Sequence, residues 1–393
     1  MQLSVIILNY NVSYFLKTCV LSVQKAIEHL DAEIIVVDNN SSDDSCKMMK
    51  TDFPDIQLIL NSHNEGFPKG NNIGVQAAKG EYICILNPDT VVAEDTFVKI
   101  LHFINNYPHK AEIGIVGCKL IDGSGRFLPE SKRGLPTPWV SFTKISGLYK
   151  VFSKSRYFNR YYAQHINENE TADTAILVGA FMILKRNLYN ELGGFDENCF
   201  MYADDIDLSY MSLKNGKRNY YFHQTTVIHY KGESTIKDQQ YMQRFQNAMH
   251  FFYKKHFKIS RFFTLFMKTG IILFSIIKMI PKKAKINNSP ELYLLLSENE
   301  SLKVTLEKKL QKNIVLNDFK NGKAVLSQSI SQGIKIEVIV DLNYSSYKEA
   351  ILFFESNKNK NVSFKLLPPK SNYILGSNSS NDRGQIIVLE TIN

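Results

Sequence analysis

Three aspartates stand within four residues in the stretch MYADDIDLSYM: Asp204, Asp205 and Asp207, just after Phe200, Met201 and Tyr202. Carboxylates that close repel one another, and the apolar flank predicts partial burial. Such a cluster can ligate a metal, supply a general base, or form the acidic first turn of a helix. Asp38 closes an apolar run in IIVVDNNSSDDS, where a carboxylate can cap a helix or accept hydrogen bonds from a ligand. Asp89, in NPDT, follows another such run. Hard cations such as Mg²⁺ favour one or two carboxylates together with substrate phosphates, although Asn-Pro-Asp is also an ordinary turn. HNEGFPKGNNIG (63–74) sets three glycines and three asparagines before a helix. Glycine lets backbone approach a ligand, and helix-start N–H groups suit phosphate oxygens; the plain alternative is a flexible loop. His229 is a lone histidine in an apolar strand, where a satisfied structural role is the ordinary reading.

Strands and helices must present these groups, and the first ninety residues alternate the two. LSVIIL (3–8), EIIVV (33–37), IQLIL (56–60) and YICIL (82–86) are continuous apolar runs, as in parallel strands buried on both faces. Between the first two, apolar residues from Phe15 to Leu30 recur at helical spacing. Strand, helix, strand at this rhythm predicts right-handed crossovers and an open α/β sheet. The polar stretches follow the strands: Asn9-Tyr10-Asn11, Asp38 to Asp43, Asn61 to Gly74, and Asn87-Pro88-Asp89. All lie at the carboxyl edge, where open α/β sheets bind ligands. Farther on, 113–122, 174–186 and 225–234 read as strands, 207–216 as a helix stopped by Gly216, and 126–170 as aromatic, basic and irregular. There is no G-x-G-x-x-G after the first strand and no G-x-x-x-x-G-K-[ST], which disfavours Rossmann dinucleotide binding and excludes a P-loop.

At 393 residues more than one unit is expected. Three are read: a catalytic domain over 1–250, a basic amphipathic segment over 251–289, and a small α/β unit over 290–393. Net charge is +9, and nine Lys/Arg without any Asp or Glu fall between Lys254 and Lys285, leaving 38 against 38 elsewhere. A local basic stretch suggests an anionic surface as partner, membrane or nucleic acid. A globally basic chain would point to nucleic acid more strongly, and a membrane surface without nucleic acid is expected here. A helix near 262–280 has a Lys/Arg/Ser/Thr face, and its longest charge-free run (269–277) is too short to span a bilayer. It is expected either to lie in the interface or to dock on the catalytic domain. In the last unit, 291–312 reads as an amphipathic helix and 346–356 as another, among strands at 334–340, 362–367 and 385–390. The five cysteines are odd in number and without C-x-x-C spacing. With a start directly on an apolar strand and no signal peptide, they predict reduced thiols in a cytoplasmic protein.

Taken together, VIILNYN, VVDNNSSD, NEGFPKGNNIG, LNPDT, LVGAFMILKR, GGFDENCFMYADDIDL and HYKGES, in that order, resemble the family 2 glycosyltransferases of GT-A fold. The likeness covers roughly residues 3–235 and is nearest the bacterial rhamnosyltransferase-like branch that builds cell-surface polysaccharide. It implies that Asn9, Tyr10 and Asn11 line a nucleotide pocket and that Asp38 holds the base. Asn64, Gly66 and Asn71 would contact the nucleotide sugar. Asp89 would bind a divalent metal, Mg²⁺ or Mn²⁺, with His229 completing its shell. Asn87 stands where many relatives carry a first aspartate. Gly179, Ala180 and Phe195 would shape the acceptor side. The family's Glu-Asp pair becomes Asp204-Asp205, with Asp205 as general base and Asp204 its tuning neighbour.

That resemblance implies an inverting transfer. Asp205 takes the acceptor hydroxyl's proton as the oxygen attacks the anomeric carbon, and the diphosphate departs with metal help. The donor is expected to be dTDP-rhamnose or a UDP-sugar, and the acceptor a lipid-linked glycan at the cytoplasmic face of the bacterial inner membrane. The alternatives are a sugar nucleotidyltransferase, whose early glycine-rich basic loop is missing from LNYNVSYFLK, and a non-catalytic carbohydrate-binding protein, against which Asp89 and Asp205 argue.

Overall fold

The computed structural model describes residues 1–145, 147–152, 155, 157–158, 160–231, 239–257, 290–378 and 384–389. The helix expected near 262–280 lies outside the described residues, as do Gly232–Ser234. Nine strands build the first sheet: β1 (Leu3–Asn9), β2 (Ala32–Asp38), β3 (Gln57–Leu60), β4 (Tyr82–Leu86), β5 (Thr90–Val91), β6 (Ile113–Ile121), β7 (Ala172–Asp173), β8 (Phe181–Lys185) and β9 (Arg218–His229). Their order is β3-β2-β1-β4-β8-β6-β9-β5, with β7 also on β9. β1 pairs in parallel with β2 and β4, while β8 runs antiparallel to β4 and β6.

Every residue of β1 is buried, so helices must cover both faces. One face packs α1 (Ser13–Ala26), α2 (Ser45–Asp52) and, after α3 (Gly66–Ala77), α4 (Thr96–Asn106). α3 covers the other face, with the later helices α7 (Arg186–Glu191) and α8 (Asp204–Lys214). Between them come α5 (Pro138–Ile145) and α6 (Leu148–Val151). Each buried Ile or Leu in such a layer contributes about 1.5–3 kcal/mol. The run 174–186, expected as one strand, is strand only at Phe181–Lys185. Its first half bends away because Ile176 bridges Arg133 and the backbone at Gly179 turns toward α8.

Residue 250, expected as the end of the first unit, falls inside α9 (Gln239–His256), which packs on the first sheet's helices and loops. Phe252 and Tyr253 of α9 are buried against Ile176, Cys199, Ala203 and Ile206. Four of the five cysteines are buried and Cys46 half-buried, all as free thiols.

The last unit is a second sheet: β10 (Leu292–Leu296), β11 (Ile314–Asn317), β12 (Ile336–Asp341), β13 (Val362–Leu367), β14 (Tyr373–Gly376) and β15 (Gln385–Val388), in the order β11-β10-β12-β13-β14-β15. The first four are parallel and the last two antiparallel. The helix expected over 291–312 is corrected: LYLLL is β10, and helix occupies only α10 (Glu300–Leu310). A short apolar run is ambiguous in period, and here burial between β11 and β12 decides for strand. Two further helices, α11 (Phe319–Ser331) and α12 (Tyr347–Ser356), complete it. This unit shares a core with the first: Val12, Phe15, Val91, Ile228 and Tyr230 pack with Tyr347, Phe354 and Tyr373. Glu94 seals the junction by accepting from the first amides of α12, Tyr347 N at 2.7 Å and Lys348 N at 2.8 Å.

Candidate active site

At the carboxyl end of β1 and β2, Asn9 and Asp38 sit opposite each other in register. Asn9 Nδ2 donates to Asp38 Oδ2 at 2.7 Å, and Ser41 N donates to Asp38 Oδ1 at 2.7 Å. Both side chains are buried, so this pair shapes the turn between the strands. Asn11 adopts φ +57°, a left-handed conformation that asparagine tolerates. It holds that turn by accepting from Ser42 N at 2.7 Å, while its own N donates to Ser41 Oγ. Tyr10 beside it is half-buried.

The glycine-rich loop leads into α3. Gly66 has φ +80°, and a Cβ there would lie 2.8 Å from Phe200 O, so the chains touch at backbone distance. Asn64 Oδ1 accepts from Gly66 N at 2.9 Å, and Phe67 N donates to Phe200 O at 3.0 Å. Asn71 is buried, with Nδ2 on Phe67 O and Oδ1 unpartnered among the described residues. Its neighbour Asn72, which sequence reading passed over, grips the GGFDE loop. Its Oδ1 accepts from Tyr189 Oη and Phe195 N, and its Nδ2 donates to Phe195 O. Phe195 itself is core, packed on Phe67 and Tyr189.

β5 pairs with β9 so that Thr90 lies opposite His229, which brings Asp89 to the histidine. His229 Nε2 is 3.4 Å from Asp89 Oδ1 and 3.3 Å from Asn87 Nδ2. All three side chains converge although His229 lies 142 positions from Asn87. Asp89 Oδ1 and His229 Nδ1 are buried and make no hydrogen bond among the described residues. Among the described residues no group of three or more His, Cys, Asp or Glu is arranged to hold a metal ion by itself. A carboxylate and an imidazole with unspent lone pairs nonetheless suit a divalent cation that takes further oxygens from a diphosphate.

The acid cluster forms the start of α8. Asp207 is held by Lys255 Nζ at 2.8 Å and His256 Nε2 at 2.5 Å, and so fastens α9 to α8. Asp205 Oδ2 accepts from Arg133 Nη2 at 2.5 Å and from Gly179 N at 3.1 Å, leaving Oδ1 unpartnered among the described residues. Asp204 is also buried, and burial, followed by the charge of Asp205, pushes its carboxyl up to about 7. Arg133 is largely enclosed; desolvation opposes its charge, but Asp205 outweighs that and raises its pKa. Arg133 was missed because it lies 72 residues from Asp205 in a stretch with no periodic pattern.

One dipeptide joins the two acidic clusters. Gly179 N donates to Asp205, and Ala180 O accepts from Asn87 N at 3.0 Å. A Cβ at Gly179 would crowd Asp205 Cβ at 3.3 Å, so glycine permits the approach.

An open sheet, parallel at its core and flanked by helices on both faces, with Asp38, Asp89 and the Asp204–Asp205 pair gathered at its carboxyl edge, defines a glycosyltransferase of GT-A fold. More particularly, residues 4–193 match the model of glycosyl transferase family 2, and the domain is a member of that family. Over 247 residues the chain is 23% identical to the N-acetylglucosaminyl-diphospho-decaprenol L-rhamnosyltransferase of Mycobacterium tuberculosis, spanning 60% of this chain and 78% of the relative. It is 26% identical to rhamnosyltransferase WbbL of Escherichia coli, over 53% of this chain and 78% of that one. Among solved structures, mannosyltransferase PcManGT from Pyrobaculum calidifontis, in complex with GDP-Man and Mn²⁺, aligns at 16% identity with a TM-score of 0.46, over 91% of this chain and 86% of that chain.

Proposed function

We propose that the chain transfers a sugar, with inversion, from a nucleoside-diphosphate donor to a hydroxyl of a lipid-linked glycan. This serves cell-surface polysaccharide synthesis at the cytoplasmic face of a membrane. The observation that carries it is the Gly179–Ala180 bridge, which sets the Asp205 carboxylate beside the Asn87–Asp89–His229 group. Such adjacency is what one displacement needs, with a proton acceptor and a diphosphate-binding group on either side of the reacting carbon.

The Asn9–Asp38–Asn11 turn receives the nucleoside, and the Asn64–Gly66 loop, with its glycine backbone, lies against the donor sugar. Asp205 Oδ1 accepts the proton of the attacking hydroxyl, while Oδ2 stays anchored on Arg133 and Gly179. Asp204 lies beside it as a second buried carboxyl, itself pushed up by burial and by the charge of Asp205. Asp89 and His229 would hold a divalent cation, Mg²⁺ or Mn²⁺. When bound it supplies positive charge for the departing diphosphate. The names of the M. tuberculosis and E. coli relatives favour a rhamnose donor, with UDP-sugars next. A screen of nucleotide-sugars for release of nucleoside diphosphate, with and without Mn²⁺ or Mg²⁺, tests the proposal. Release from dTDP-rhamnose that depends on an added acceptor is the expected result, and no release from any donor would remove the reading.

A further inference from the structure

We infer that the exposed side chains of Trp139, Val151, Phe152 and Tyr157 form a membrane-docking surface that seats the protein on an anionic bilayer and opens into the cleft that reaches Arg133. This rests on the reading of a lipid-linked acceptor. From Pro138 to Arg160 the sequence has five Lys/Arg and no Asp or Glu. The same stretch exposes large apolar side chains that a soluble surface would cover: Trp139 at 50%, Val151 at 73%, Phe152 at 48% and Tyr157 at 71%.

They form one patch. The rings of Trp139 and Phe152 both pack on Phe158, with centroids at 5.8 and 4.9 Å, and Trp139 Nε1 donates to Tyr157 O at 3.2 Å. Contiguous exposed apolar surface marks an interaction site. Trp and Tyr interleaved with Lys and Arg is the composition that settles at the headgroup level, aromatic bodies among the acyl ends and cations on the phosphates. The absence of acids in the stretch makes an anionic bilayer the complementary partner.

The patch borders a cleft of about 810 Å³. Tyr157 and Arg160 stand at its exposed rim, Val140 and Ile166 form apolar wall, and Arg133 lies at its buried end, bonded to Asp205. An amphiphile whose tail stays in the bilayer would therefore present its head along a partly apolar path, past Arg160, toward the proton acceptor.

Trp139 is the only tryptophan of the chain, so its emission reports on this surface alone. Full-length protein is mixed with vesicles of phosphatidylcholine, or of phosphatidylcholine with phosphatidylglycerol. Emission should shift to the blue and be quenched by brominated acyl chains only with the anionic vesicles, and high salt should reverse it. Val151→Ser with Phe152→Ser should lose most of the vesicle-bound fraction while leaving turnover of a short-chain, water-soluble acceptor unchanged. Vesicle binding with unaltered Trp139 emission overturns the inference, because another segment then carries the contact. So does a blue shift that depends on protein concentration without lipid, which assigns the patch to a second copy of the chain. Failure of all sugar transfer would count against the proposed function, not against the docking surface, since the vesicle measurements require no turnover.

Discussion

Arg133 and Asp205, 72 residues apart, meet at 2.5 Å in the interior beside α8. The guanidinium gives the proposed base a fixed orientation: one carboxylate oxygen is committed to Arg133 and Gly179 N, and the other is left for substrate. Removing either partner of a buried ion pair leaves an uncompensated charge, which costs about 3–5 kcal/mol. Arg133→Met is therefore expected to lower unfolding free energy by about that amount, read by denaturant titration, and to reduce kcat together with stability. Arg133→Lys should recover part of the stability but less of the turnover, because an ammonium cannot reproduce the planar fork.

Asp205→Asn keeps the shape of the acid and removes its ability to take a proton. Turnover should fall by about 10²–10⁴, while the Kd for the nucleotide-sugar, measured by calorimetry, stays within about threefold of wild type, well inside one decade of affinity. A large loss of donor binding would instead place Asp205 on the donor side.

Asp204 makes stability depend on pH. Its folded-state pKa of about 7 stands above the ordinary 3.8, so between these values the folded chain binds more protons than the unfolded one. Stability from this group is consequently lost as pH rises through that window. Asp204→Asn cannot ionise and removes the slope. Its Tm relative to wild type should be higher at pH 8 than at pH 4.5, and an equal offset at both pH values would show that Asp204 does not titrate there.

The Asp89–His229 pair makes a prediction independent of activity. In the presence of a nucleoside diphosphate, Mn²⁺ affinity measured by electron paramagnetic resonance should weaken about tenfold or more in Asp89→Asn, and less in His229→Asn. Unchanged affinity in Asp89→Asn would remove that residue as a ligand.

Glu94 links the second sheet to the first by capping α12. A carboxylate on helix-start amides is worth about 0.5–2 kcal/mol. Glu94→Ala should lower Tm accordingly, and hydrogen exchange should rise in α12 and in β5 together, because Val91 shares the packed interface with Tyr347.

The parts of the molecule written locally were legible from the chain alone. Continuous apolar runs become β1, β2 and β4 because only strands buried on both faces tolerate them, and every polar stretch that follows them reaches the carboxyl edge. Asp38 and Asp89 stand out this way, whereas Asp205 stands out only through its acid cluster and the family resemblance. Where two periods fit one short run, as in LYLLL, local pattern failed and burial between neighbouring strands decided. Contacts across the chain were out of reach for a different reason. That Asp89 meets His229 depends on β5 pairing with β9, and that Asp205 meets Arg133 depends on the bend after Ile176. Neither is encoded by spacing, since loop closure of this length is determined by which strands end as neighbours in the sheet. The sequence determined which groups carry charge and at which edge they emerge; the tertiary structure decided which of them are paired, which are left open, and therefore which can react.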